Sequence, residues 1–189
     1  MTEGESRSIA SGTLEDLDSA LMAAGIDTSF WGAGPTKTLA HLATELQEGD
    51  SELFTDQEGL ARRVQNVWVD VFVAESGQRR HLVERRQIFC DGRSRERSLP
   101  ASLGEKCKIG EEPLVAARRA LVEELGIEKP LGLATAEPRE NPVGEPSYPG
   151  LRTVYETYWF TAEIDPKDYK PEGYVEEQVD KRTYFEWEP

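Results

Sequence analysis

Residues 104–127 read GEKCKIGEEPLVAARRALVEELGI. Gly104 and Gly110 lie in a polar loop that leads to Glu111, and a helix is expected over 112–125, ending in RALVEELG. Residues three and four apart share a helix face, so the spacing places Arg119, Glu123 and Glu124 on one side. Adjacent carboxylates behind a glycine-bearing loop suit a divalent cation and a polyphosphate. Mg²⁺ takes oxygen ligands only, usually one or two carboxylates with water and substrate phosphate.

This spacing resembles the Nudix box, G-x5-E-x7-R-E-U-x-E-E-x-G-U, in which U is aliphatic. Laid on residues 105–127, the box finds Glu111, Arg119, Leu121, Glu123, Glu124, Gly126 and Ile127 in place. Two positions depart from it. The opening glycine falls on Glu105, with Gly104 one residue early, and the glutamate after the arginine is Ala120. Seven of nine defined positions at correct spacing is a specific signal.

The resemblance implies a divalent-metal-dependent pyrophosphohydrolase acting on a nucleoside diphosphate linked to another moiety. It implies Mg²⁺ or Mn²⁺ held by Glu123 and Glu124, with a backbone carbonyl near Gly104. Arg119 would orient Glu111, so Glu123, Glu124, Arg119 and Glu111 form the implied catalytic set. A further base is implied from the loop before the last strand, where Glu176 and Glu177 stand. A glutamate at position 120 would complete a cluster of three carboxylates with Glu123 and Glu124. Losing a group that orients or deprotonates water costs on the order of 10²–10⁴ in rate. The alternative is therefore a catalytically weak or inactive Nudix-like module that binds a nucleotide or a protein partner.

The charge distribution bears on the ligand. The chain carries a net −14, which argues against a nucleic acid backbone as partner. Yet residues 79–98 hold seven arginines against Glu84, Asp91 and Glu96, a local +4. A compact basic segment in an acidic protein suits a small anionic, nucleotide-type ligand, because guanidinium forks match phosphate oxygens. Arg93, Arg95 and Arg97 are the expected substrate-binding residues. No apolar run reaches the roughly 18 residues of a membrane span. Cys90 and Cys107 have no partners at metal-ligand spacing, so a reducing cytoplasm is the simplest compartment. Cys107, inside the box loop, reads as a loop thiol with no role, since a reactive cysteine needs an electropositive setting. Oligomeric state is open; the family resemblance is compatible with a homodimer.

The remaining pattern predicts an α+β fold: a Nudix-like mixed β-sheet packed between helices, with an extra N-terminal helical segment. Residues 1–12 read as a disordered tail and 13–55 as a helical extension. Its helices are expected over 13–25, with Thr13 and Asp16 forming a capping-box start, and over 36–48. The Nudix-like domain is expected over 60–189. There Val67, Val69, Val71 and Val73 alternate as in a half-buried strand, and Ser76-Gly77 turns into a second strand at 81–89. A short strand near 97–103 precedes the box. Strands are expected at 132–137, 151–164 and 181–187, with a polar loop at 165–180.

Overall fold

The computed structural model describes residues 13–139 and 146–189; the tail at 1–12 lies outside them. The described elements are α1 (Leu14–Ala23), α2 (Leu39–Gln47), β1 (Glu52–Asp56), β2 (Gly59–Glu75), β3 (Gln78–Phe89), β4 (Ser94–Glu96), β5 (Leu103–Lys106), α3 (Pro113–Leu125), β6 (Gly132–Thr135), β7 (Arg152–Ile164), β8 (Tyr174–Glu177) and β9 (Lys181–Glu188). The fold is α+β. Its described residues form two compact units: 13–65, 106–110 and 146–156 in the first, and 66–105, 111–139 and 157–189 in the second.

In the first unit both helices start on capping boxes. Thr13 exchanges hydrogen bonds with Asp16, and Thr38 with His41. Each box satisfies backbone N–H groups that would otherwise lack a partner. Leu17 and Leu21 of α1 pack with Leu42 of α2, Leu53, Tyr148 and Leu151 in one apolar cluster. Trp31 packs against it, and its indole N–H donates to the Pro149 carbonyl at 3.0 Å. The unit containing the helices thus extends beyond 13–55. It includes a hairpin, β1 against the start of β2, with Glu52 opposite Arg63 and Asp56 opposite Gly59.

In the second unit the strands run β6-β7-β2-β3-β9-β8, with β4 on β3 and β5 on β2. Val67, Val69, Val71 and Val73 are all fully buried, as their alternation requires. Ser76 (φ 51°) and Gly77 (φ 78°) make the turn to β3; two successive positive φ values match the right-handed strand twist. α3 buries Ala116, Ala117, Ala120, Leu121 and Leu125 and ends at Gly126, whose φ of 73° is the left-handed cap.

Two sequence expectations need correction here. Residues 97–102 are not a strand; the segment divides into β4 and β5, and extended pairing resumes only at buried Leu103. Residues 165–180 are not all loop. They contain a 3₁₀ turn at Pro166–Asp168 and then β8, where buried Tyr174 packs against Trp187 while Val175 pairs with Tyr184 of β9.

Candidate functional site

Gly104, Glu105, Glu111 and the whole of α3 lie in the second unit. Gly104 sits in β5 because the Trp68 ring lies against its Cα; a Cβ there would collide with that ring. Neither Gly104 nor Glu105 has a positive φ. Glu105 therefore takes the place of the opening glycine without backbone strain, and the glycine beside it serves close approach.

Arg119 is the hub of the box. Its Nε and Nη2 donate to both carboxylate oxygens of Glu111, at 3.2 and 3.0 Å. Nη1 stands 3.3 Å from Glu105 and 3.4 Å from Glu123. A two-pronged guanidinium–carboxylate pair fixes orientation as well as charge. The Glu111 bond, followed by the Glu105 and Glu111 charges, holds the guanidinium even more firmly protonated than usual.

Glu123 and Glu124 do not share a surroundings. Glu123 is exposed and tied to Arg119. Glu124 is half-buried, and its Oε1 is buried with no hydrogen-bond partner. Burial first, then the negative charges of Glu176, Glu105 and Glu84, push its carboxyl well above the ordinary carboxylate range. Glu84, on β3, is itself buried, and burial raises it too, despite the nearby positive charges of Arg97 and Lys181. Arg97 Nη1 lies 3.2 Å from Glu84 Oε1, close enough for an ion pair but not aligned as a hydrogen bond.

Of the two candidate bases, Glu176 belongs to this electrostatic group. Glu177 instead pairs with Arg182 at 3.1 Å. Both are on β8 rather than in a loop. Glu84 was missed by sequence reasoning, since nothing in residues 79–98 distinguishes it from a solvated acid in an arginine-rich hairpin. Ala120 is fully buried, so a glutamate introduced there would place a carboxylate in the packed face of α3.

The three expected arginines separate. Arg93 is exposed and pairs with Asp91 at 2.7 Å. Arg95 donates to Gln87 Oε1 at 2.6 Å. Arg97 forms an ion pair with Glu84, and Arg95 acts on Glu84 through its charge alone. Cys107 is buried, whereas Cys90 is exposed.

Among the described residues no group of three or more His, Cys, Asp or Glu side chains is drawn together as a metal cage. A second polar cluster offers no nucleophile relay. Asp70 Oδ1 and Ser102 Oγ both approach the same nitrogen, His81 Nε2, at 3.1 and 3.2 Å. A Ser-His-Asp relay needs them on different ring nitrogens. No described helix is long and apolar enough to cross a membrane.

No protein-family profile and no curated protein matches this sequence. Among solved structures, the chain is similar to the crystal structure of DR0079 from Deinococcus radiodurans, at 19% identity and a TM-score of 0.34. The match covers 66% of this chain and 65% of that one.

Proposed function

We propose that this chain is a Nudix-like, Mg²⁺- or Mn²⁺-dependent pyrophosphohydrolase acting on a nucleoside diphosphate linked to another moiety. The observation that carries the reading is Glu124: a buried carboxylate oxygen without a hydrogen-bond partner, under the negative charge of Glu176, Glu105 and Glu84, on the helix of a seven-of-nine box match. Burying such a charge is costly unless something neutralises it. Either a proton or a bound cation would do so.

The carboxylates whose charges act on Glu124 are of the donor type a hard cation takes. Glu124, Glu84, Glu105 and Glu176 offer oxygen alone, which suits Mg²⁺ or Mn²⁺. Mg²⁺ commonly takes one or two carboxylates and completes its shell with water and phosphate, so a cage of three side chains is not required. When bound, the ion supplies Lewis-acid polarisation of a phosphate oxygen. In this reading Arg119 holds Glu105 and Glu111 in fixed orientation. Glu176 accepts the proton of the water that attacks phosphorus, and the released phosphate departs with the bridging oxygen.

The test is a panel of nucleoside diphosphate sugars, dinucleoside polyphosphates, ADP-ribose, NADH and nucleoside triphosphates, each with Mg²⁺ and Mn²⁺, with Glu124→Gln alongside. Metal-dependent turnover that the variant abolishes is expected. Absence of turnover across the panel would sink the hydrolase reading. The buried Ala120 favours a second reading, a module that binds the same ligand class without hydrolysis. It predicts nucleotide-induced gains in melting temperature with no product.

A further inference from the structure

The pairing of β3 with β9 shifts register between Glu84 and Arg86. Side chains along a strand normally alternate between faces. The extra residue breaks that alternation, so Glu84 is buried while Arg85 and Arg86 are both exposed. Bulges of this kind re-aim side chains and recur beside functional sites. Here the two arginines line a groove of about 570 Å³ together with Glu96, Arg97, Ser98 and Glu186. That volume lies within the span of small-molecule sites, roughly 300–1,000 Å³.

The charges in the groove are not equally committed. Arg85 is engaged by Glu186 at 3.5 Å and Glu188 at 2.6 Å. Arg97 faces Glu84. Arg86 makes no ion pair among the described residues; its guanidinium carbon stands 4.9 Å from the centre of the Tyr184 ring, a contact that orients a planar cation. Glu96 is the cross-strand neighbour of Arg86 on β4, yet it too makes no ion pair among the described residues.

A guanidinium fork recognises phosphate oxygens. A carboxylate repels phosphate and accepts hydrogen bonds from hydroxyl groups. A ligand satisfying both carries phosphate at one end and hydroxyls at the other. We propose that this groove binds a phosphorylated sugar, its phosphate or diphosphate on Arg86 and Arg97 and its sugar hydroxyls donating to Glu96. The inference rests on the hydrolase reading only in taking that ligand as part of the substrate. Arg97 joins the two, since its Glu84 partner is one of the charges acting on Glu124.

Calorimetric binding in EDTA, where no turnover occurs, tests the groove with ADP-ribose and inorganic pyrophosphate as probes. ADP-ribose is expected to bind more tightly than pyrophosphate. Arg86→Gln should weaken both by about tenfold or more, the range of hydrogen bonds to charged groups. Glu96→Gln should weaken ADP-ribose alone by about threefold, because glutamine still accepts the hydroxyl bond but without the carboxylate's charge. Arg182→Gln, the same charge change on the neighbouring strand β9, should stay within about twofold because solvent screens it. Equal losses from Arg86→Gln and Arg182→Gln, or no binding of either probe at millimolar concentration, overturn the site. A Glu96→Gln protein that binds ADP-ribose like the parent overturns the sugar assignment. Loss of the binding pattern with hydrolysis retained sinks the groove alone. An intact pattern without turnover upholds the groove and sinks the hydrolase. Melting curves confirm that each exposed-site variant is folded.

Discussion

Glu45 on α2 is buried and Glu124 on α3 has one carboxylate oxygen buried, one in each compact unit, and the charges acting on them are opposite in sign. Around Glu45 stand Lys37, Arg62 and Lys106, at 2.5, 2.6 and 3.0 Å. Burial alone would raise its carboxyl, but these cations outweigh burial and bring it down to about 2. Around Glu124 stand Glu176, Glu105 and Glu84, and burial and repulsion act together. The first arrangement is complete as it stands. The second is complete only with a proton or a cation. The same residue type thus sits among cations in one place and under the negative charge of other carboxylates in the other, and only the surroundings tell them apart.

The strongest test of that contrast is to remove the satisfied charge. Glu45→Gln leaves the buried Arg62 guanidinium without its anion, a loss that typically costs roughly 3–5 kcal/mol. Denaturant unfolding at neutral pH should show it. The pH dependence follows from the lowered carboxyl: its stabilisation is fully present above the unfolded value of 4.5 and disappears as pH falls toward about 2. The gap between parent and variant should therefore close on acidification through that window. A gap that is constant with pH would show that the cations do not hold Glu45.

The complementary change should act in the other direction. Glu124→Gln removes a buried repelled charge, so in EDTA at neutral pH the variant should be more stable, by on the order of 1 kcal/mol, the scale of an unmet buried polar group. A raised carboxyl holds its proton in the folded state. Its penalty is therefore absent below the unfolded value of 4.5 and grows as pH rises above it. The advantage of the variant should appear over the same rise. Millimolar Mn²⁺ should raise the melting temperature of the parent and leave the variant unmoved, because a ligand stabilises only the state that binds it. A variant less stable than its parent in EDTA would break the contrast.

How much of this was legible depended on reach along the chain. The capping boxes at Thr13 and Thr38, the Val67–Val73 alternation and the helix of the box are local patterns, and the sequence carries them openly. The resemblance implies that Arg119 orients Glu111, and the two are joined by two hydrogen bonds. The place of Glu84 was not legible, because β3 reaches the surroundings of α3 only through sheet order. The bulge that exposes both Arg85 and Arg86 was hidden too, since register is a property of two strands and not of one. β8 was read as loop because its four residues, YVEE, hold few apolar side chains; pairing with β9 and the Tyr174–Trp187 contact supply what local propensity lacks.

The smallest effect on stability, and the finest test of the comparison, falls at Arg119. It inverts the Glu45 arrangement: one cation holds three anions, Glu105, Glu111 and Glu123. Its partners are more exposed than Arg62, so each can return to water if the tie is loosened. Lysine keeps the charge but offers a point in place of a fork. Arg119→Lys should therefore cost under about 1 kcal/mol of stability, as partly exposed ion pairs do. Turnover should suffer more, by on the order of 10- to 100-fold in kcat, because the orientation of Glu105 and Glu111 is lost while binding groups remain. A loss confined to KM would mean that Arg119 holds substrate and not the carboxylates. A large loss of stability with kcat unchanged would make it a structural tie of the same kind as Glu45, and the division between a completed unit and a waiting site would fail at its hub.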